Sequence, residues 1–428
     1  MSFFPSKTLV ASALKTRSRR LAEAAASAKS DVSYPTPSLE GLTPNIYEQA
    51  LREVNDHITL DESLVEKAKE AYEEVGRYLV KKLHWETNDI EIVPQGSAAT
   101  QTLIRSPGRK DFNIDAVCKV NINRIEADDP IGFFETIGDA LKRRYGKDVN
   151  PKNRCWNINF VGHGFYLEFT PSAPLETVSL KQRASMGLAV AFEPSYQATA
   201  LGVVDNKERG WKPSNPEGFA HWVSDTAQLQ LVLRQRLSEE AVAAAGVNPV
   251  PDQNVAIHDT LQTAIRLFKR HRDMCVRRNA FQSKYQPISV ILVTLVTGIY
   301  KGLAKLGHTY EHPIALLTDL AELLPHMIEH RDNDEWWVAN PTVEGENFAE
   351  KWNMDGGKRK DAFDSWCKLL AADLQRLLKA STPEEARKVA QEVFGTGSDQ
   401  RDPDDGNMPP KPERQHPVIP VKPSNGLA

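Results

Sequence analysis

Residues 93–120, VPQGSAATQTLIRSPGRKDFNIDAVCKV, constrain this chain more than any other stretch. A Gly-Ser turn is followed, after a short loop, by a strand whose polar residues alternate with apolar ones. A glycine-containing turn lets backbone N–H groups approach a polyphosphate closely, and Gly96-Ser97 supplies one. Transfer of a nucleotidyl group also needs ligands fixed on a rigid element, so that two divalent ions bridge the α-phosphate, the attacking hydroxyl and the leaving pyrophosphate. Successive side chains of a strand point to opposite faces, so Asn113 and Asp115 share one face while Phe112 and Ile114 pack behind them. The first of the two is an amide, where an acid would be expected.

A further carboxylate is expected from a neighbouring strand. Glu168 stands alone among apolar residues in Phe165-Tyr166-Leu167-Glu168-Phe169, which Thr170-Pro171 ends. A solvated acid on an edge strand would look the same. An acid buried there is costly unless a cation or a hydrogen-bond donor meets it, so Glu168 is a candidate metal ligand.

The Gly-Ser turn, the FNID strand and the YLEFTP strand together resemble the catalytic core of the cGAS/DncV-like nucleotidyltransferases (CD-NTases), bacterial relatives of cyclic GMP-AMP synthase within the polymerase-beta-like nucleotidyltransferase superfamily, which serve CBASS anti-phage operons. Trp211-Lys212-Pro213-Ser214-Asn215-Pro216 with Gly218-Phe219 resembles a family segment. Leu267-Phe268-Lys269-Arg270-His271-Arg272-Asp273 is similar to the family's basic helix, and Asn340-Pro341 with Glu346-Asn347-Phe348 and Trp352 matches another segment. The likeness runs over roughly residues 40 to 395. It implies an α+β fold: a polymerase-beta-like core with a mixed sheet and helices, joined to an α-helical second subdomain, bilobed around a central cleft.

The resemblance also implies an activity. Nucleoside triphosphates, ATP among them, would be joined into a cyclic di- or trinucleotide second messenger that activates a downstream effector, with two Mg²⁺ ions (or Mn²⁺) as cofactor. Asn113, Asp115 and Glu168 would be the catalytic and metal-ligating set. Gly96, Ser97, Lys269 and Ser289 would hold the triphosphate. Leu261, Ile265 and Phe268 fall at helical spacing on one face, which leaves Arg266, Lys269 and Arg270 to the others. No individual role is expected of Arg270, Arg272 or Asp273.

The chain departs from the family pattern of Asp-x-Asp plus a third Asp. Glu168 keeps the charge of the third. Asn113 can ligate magnesium through its amide oxygen but offsets none of the charge of two dications, so weakened metal affinity and a weakened or inactivated enzyme are expected. Two alternatives stand beside the synthase: a catalytically silent nucleotide- or partner-binding member, and a terminal transferase acting on RNA or protein.

At 428 residues and 40% apolar, the chain can bury a large core, and a net charge of −4 argues against a surface made throughout for nucleic acid. The expected division is an N-terminal extension (1–38), a catalytic core with a spine helix (39–223), a helical subdomain (224–395) and a Pro-rich tail (396–428). The spine helix would open at a Ser63/Glu66 capping box, run to about Leu83 and join the lobes. Strands are expected at 91–94, 112–122, 154–160 and 164–170. Thr382-Pro383 would open the last helix, which ends near Phe394-Gly395.

Cys118, Cys155, Cys275 and Cys367 are far apart, so neither zinc nor a disulfide framework is indicated, and a reducing bacterial cytoplasm fits. The most apolar run, Ile288–Ile299, falls short of the about 18 to 20 residues that span a membrane and reads as a buried helix. Residues 1–22 carry Lys7, Lys15, Arg17, Arg19 and Arg20 with no acid. They superficially resemble a transit peptide but read better as a disordered or helical, flexible extension. The tail has too little apolar surface to offset the entropy of ordering. In some operons of the resembled family a ubiquitin-like transfer enzyme, of E1/E2 type, conjugates the synthase's C-terminus, and Ala428 would be the residue joined.

Overall fold

The computed structural model describes residues 6–27, 45–86, 89–108, 111–120, 129–175, 198–232 and 259–396, with the single positions Val178, Arg183, Tyr196, Gln253 and Val255. Helices α1 (Ser6–Ser27), α2 (Asn45–Ile58) and α3 (Glu62–Lys82) lead into strand β1 (Ile90–Gln95), the single turn α4 (Gly96–Ala99) and β2 (Phe112–Val120). Next come α5 (Pro130–Tyr145), β3 (Val149–Pro151), β4 (Trp156–Phe160), β5 (Phe165–Pro174), β6 (Leu201–Asp205) and β7 (Gly210–Ser214). The rest is mainly helical: α6 (Pro216–Ala227), α7 (Thr260–Arg277), α8 (Ser289–Lys305), α9 (Pro313–Leu323), the ribbon β8 (Glu329–His330) with β9 (Trp336–Trp337), α10 (Glu350–Met354), α11 (Lys358–Leu378) and α12 (Pro383–Phe394).

The main sheet runs β1-β2-β5-β4-β3, with β6 added to the far end of β5 and β7 paired to β6. Only β2 and β5 are parallel, so the sheet is mixed, as expected of an α+β core. Helices α3 and α5 cover one face. Tyr72, Val75 and Leu79 from α3 and Phe134, Ile137 and Leu141 from α5 meet Ile114, Ala116 and Leu167 in one core. Gly138 lies so near Trp156 that an added Cβ would fall 2.0 Å from the indole, so α5 can seat only a glycine there. The opposite face carries Asn113 and Asp115 of β2, followed by a small apolar cluster of Val93, Val117 and Leu201.

The helical core draws on more of the chain than its C-terminal half. Val10 and Ala13 of α1, Tyr47 and Leu51 of α2, and Phe219 and Trp222 of α6 share a core with Ile265, Leu295, Leu317 and Trp366. Residues 6–27, read from sequence as a flexible extension, therefore include a docked helix. Val10 lies against Gly302 of α8, and Arg17 reaches Asp319 at 2.6 Å and Glu322 at 3.1 Å. The spine also differs from its sequence reading. Helix α3 packs wholly against the sheet and α2 against the helices, and the N-cap of α3 is Asp61. Asp61 accepts from the backbone N–H of Ser63 and Leu64, because it lies one residue before the helix where a carboxylate reaches both. At the last helix, Thr382 accepts from Glu385 N–H, Pro383 takes the first position and Gly395 closes the end at φ 65°.

Arg154 spans the lobes, pairing with Asp205 of β6 at 2.9 Å and with Glu350 of α10 at 3.4 Å. No helix among the described residues is long and apolar enough to cross a membrane. The C-terminal tail, Ala428 included, lies outside the described residues.

Candidate active site

Alternation along β2 and β5 builds the site. Phe112, Ile114 and Ala116 are buried against α3 and α5, which turns Asn113 and Asp115 to the other face. The register sets Asp115 opposite Glu168 and Asn113 opposite Tyr166 on the parallel neighbour. Burial first, and the Glu168 charge second, push the Asp115 carboxyl up to about 7. Asn113 Nδ2 donates to Asp115 Oδ1 at 2.7 Å, while Lys152 pairs with Glu168 and Cys155 Sγ approaches it at 3.4 Å.

Two facing carboxylates held against their own repulsion in a buried place are a fit for a hard divalent cation. The donor set fits one such ion well and two poorly, because Asn113 brings no charge and Lys152 already neutralises part of Glu168. Among the described residues no cluster of three His, Cys, Asp or Glu side chains is assembled to hold a metal.

The turn comes up directly against the carboxylates. Gly96 has φ 62°, and a Cβ there would lie 2.5 Å from Asp115 Oδ2. Only glycine lets the backbone pass at this distance in this conformation. The next residue, Ser97, is met from the helical lobe: Lys269 Nζ donates to Ser97 Oγ at 2.9 Å and to the Thr102 carbonyl at 2.6 Å. Burial, and then the neighbouring Arg272, push the Lys269 ammonium down to about 7. Arg272 Nη1 donates to Ser289 Oγ at 3.1 Å and to the Pro287 carbonyl at 3.0 Å, fixing the start of α8.

These groups open on one cavity of about 320 Å³. Gly96, Ser97, Asn113, Asp115 and Ser289, all singled out from sequence, line it. Glu168 is brought in through its pairing with Asp115, and Lys269 through its bond to Ser97. Sequence reasoning gave no role to the opposite wall, where Asn340, Glu346 and Phe348 face the sheet and Val290 and Val293 of α8 complete an apolar side. The available signal was the Asn340-Pro341…Glu346-Asn347-Phe348 segment itself. Glu346 is raised above its ordinary range by burial and is held by Asn340 Nδ2 at 2.7 Å and Ser214 Oγ at 3.3 Å. Lys152 was also missed, since a lone lysine in a loop carries no sequence signal. Arg270 turns away from the cavity to bond the carbonyls of Arg105, Phe394 and Gly395, a structural clamp on the end of α12.

Comparison with known proteins bears on the fold. No family model matches the chain. A c-di-GMP synthase of Roseivirga ehrenbergii is 26% identical over 351 residues, which is 81% of this chain and 84% of that protein. The structure of the Bradyrhizobium diazoefficiens CD-NTase CdnG in complex with GTP matches with a TM-score of 0.55 at 20% identity, covering 82% of this chain and 98% of that one. The E. coli MS115-1 CdnC:HORMA-deltaN complex matches with a TM-score of 0.53 at 13% identity and the same coverage of both chains. The fold is the α+β, polymerase-beta-like fold of these structures. The sequence relative and the solved structures that this chain is similar to are a cyclic dinucleotide synthase and CD-NTases.

Proposed function

We propose that this chain is a template-independent synthase that joins nucleoside triphosphates into a cyclic oligonucleotide messenger. The observation that carries the reading is the meeting of two half-sites in one cleft: the Asp115–Glu168 pair on adjacent strands and the Lys269–Ser97 contact between the lobes. The first suits a reacting α-phosphate. The second suits a triphosphate tail.

In this reading Ser97, Lys269 and Ser289 hold the triphosphate, and Arg272 keeps Ser289 in place. A ribose hydroxyl of one nucleotide forms a bond to the α-phosphorus of another, and the bond to pyrophosphate breaks in line with it. The hydroxyl proton passes to the Glu168 carboxylate. Asp115 and Glu168, with a weak contribution from Asn113, would hold Mg²⁺ or Mn²⁺, which would supply charge neutralisation at the α-phosphate. Repeating the step within the linear product closes the ring. Service in anti-phage signalling within a bacterial cytoplasm, an effector answering the product, and conjugation of Ala428 by a ubiquitin-like transfer enzyme complete the proposal on sequence resemblance. The Roseivirga relative is a c-di-GMP synthase and the Bradyrhizobium neighbour was solved with GTP, so guanine nucleotides are the first substrates to test.

One observation favours a second reading, the silent member. The Asn113 amide donates to Asp115 and so occupies an oxygen that a metal would use. The test is incubation with α-labelled nucleoside triphosphates and Mn²⁺, followed by phosphatase and mass analysis. A small phosphatase-resistant product is expected. Label found in RNA or protein would overturn the cyclic reading in favour of terminal transfer, and triphosphate binding with no product from any nucleotide would favour the silent one.

A further inference from the structure

Polar residues form a row across the cleft face of the sheet. The strand registers place Gln95 of β1 opposite Asp115, Asp115 opposite Glu168, and Glu168 opposite Asn157 of β4. Beside Glu168 lies the turn between β3 and β4, closed by the Lys152 N–H donating to the Cys155 carbonyl at 2.8 Å. This turn takes both oxygens of the Glu168 carboxylate: Lys152 Nζ donates to Oε1, and Cys155 Sγ approaches Oε2 at 3.4 Å. The same ammonium lies 5.3 Å from the centre of the Tyr166 ring, two residues earlier on β5 and on the same face as Glu168. On β2, Asn113 Nδ2 holds Asp115 Oδ1 at 2.7 Å. Asp115 Oδ2 is turned toward Gly96, and both residues line the cleft cavity.

The charges do not suit two ions. Two divalent cations would meet only the two negative charges of Asp115 and Glu168, since Asn113 adds none. Lys152 already offsets one of those two. Its charge acts on Asp115 as well as on Glu168. The Glu168 side chain is 16% exposed and that of Lys152 47%, and an ion pair open to water on one side adds little to stability. A lysine ammonium is a compact point charge on a flexible stem, which is what this place receives.

We propose that Lys152 stands in for the second divalent ion, so that the centre takes one Mg²⁺ or Mn²⁺ on the Asp115 side and carries its other cation, the Lys152 ammonium, on the Glu168 side. The uncharged Asn113 then matches a centre built for one ion fewer. Lys152 is a positioning residue: it holds the Glu168 carboxylate in place and sets a fixed positive charge beside it. The count of ions is a matter of binding alone. What the lysine's charge serves rests on the proposed nucleotidyl transfer.

The test uses the full chain, Lys152→Met, Lys152→Arg and the double variant Asn113→Asp with Lys152→Met, with Mn²⁺ as the probe and electron paramagnetic resonance as the readout. Without nucleotide, Lys152→Met should bind Mn²⁺ about tenfold or more tightly than the native chain, because the Asp115–Glu168 pair loses its built-in cation, and Lys152→Arg should bind as the native chain does. With a non-hydrolysable GTP analogue bound, the native chain should give the spectrum of an isolated ion, and the double variant the spin-coupled spectrum of two ions about 3.5–4 Å apart. Turnover of Lys152→Met should fall at limiting Mn²⁺ and recover at high Mn²⁺, which the loss of a merely structural lysine would not produce. Melting temperatures should be unchanged, since the side chain is half-exposed. A spin-coupled pair in the native chain, or equal Mn²⁺ affinity in the native chain and Lys152→Met, would overturn the proposal. Failure of the analogue to bind would count against the proposed function, and the nucleotide-free titration would then decide the role of Lys152 by itself.

Discussion

Asn113 and Lys269 set the chemistry of the cleft. Restoring the acid at position 113 adds a charged ligand beside Asp115 and removes the amide donor that now occupies it. Asn113→Asp should therefore raise Mn²⁺-dependent turnover by about tenfold or more, equivalent to ~1.4 kcal/mol in the barrier. Pyrophosphate release measures it, and an equal or lower rate would show that the amide does not limit the enzyme. Lys269 gives a pH signature. Its ammonium is held down to about 7, so at pH 8 the free protein carries it mostly neutral, and a bound triphosphate restores the charge. Binding should then take up close to one proton at pH 8, and affinity should fall as pH rises from 7 toward 10.5. Titration calorimetry without metal in two buffers of different ionisation enthalpy measures the uptake, and Lys269→Met should abolish it. For the free protein the sign is the other way: the depressed value gives stability that is present above about 10.5 and lost as pH falls through about 7. Lys269 was legible in the sequence only through the family resemblance. A basic run on a helix usually reads as a solvated face, and nothing in the spacing separates Lys269, which meets Ser97, from Arg270, which binds backbone carbonyls at the end of α12.

At the scale of elements, the turn and the strand behave as one piece. Gly96→Ala would force an L side chain into φ 62° and set its Cβ against the Asp115 carboxylate. The backbone penalty alone is on the order of 1 kcal/mol. The larger effect should be on activity, with at least a tenfold loss in turnover and a small change in melting temperature. A variant with full turnover would show that the close approach is not needed. The cap of α3 is a simpler case. Asp61→Ala should cost about 1 kcal/mol by denaturant titration, whereas Ser63→Ala should cost less, since Asp61 and not Ser63 accepts the first backbone N–H groups. Sequence reading chose Ser63 because Ser-x-x-Glu matches the capping-box pattern. The competing acid two residues earlier, at the position where extended backbone turns into helix, holds the cap. Strands β2 and β5 were legible where they lie side by side, because alternation and register reinforce each other on a buried sheet, but Thr170-Pro171 does not end β5, which runs on to Pro174 because Ser172, Ala173 and Pro174 pair with β6. The wall made by Asn340, Glu346 and Phe348 was not legible, because no periodicity marks irregular backbone.

For the molecule as a whole, the lobes are built from interleaved segments. α1 and α2 precede the sheet yet belong to the helical core, and α3 stays with the sheet. Basic composition near the N-terminus suggested an extension because charge dominates the count, while the few apolar residues that dock α1, Val10 and Ala13 among them, are spaced too sparsely to stand out. Val10 is fully buried against α8, so Val10→Asp should lower the melting temperature by several degrees, since an unpaired charge in that contact costs a few kcal/mol. An unchanged melting temperature would show that α1 does not dock. The central claim, that the two half-sites form one nucleotidyl-transfer centre, is tested most directly by following α-labelled GTP and ATP with Mn²⁺ in the native chain, Asn113→Asp and Asp115→Asn side by side and analysing what survives phosphatase. A resistant small product that is most abundant with Asn113→Asp, weaker in the native chain and lost with Asp115→Asn is the predicted result. A product that persists undiminished in Asp115→Asn would contradict it.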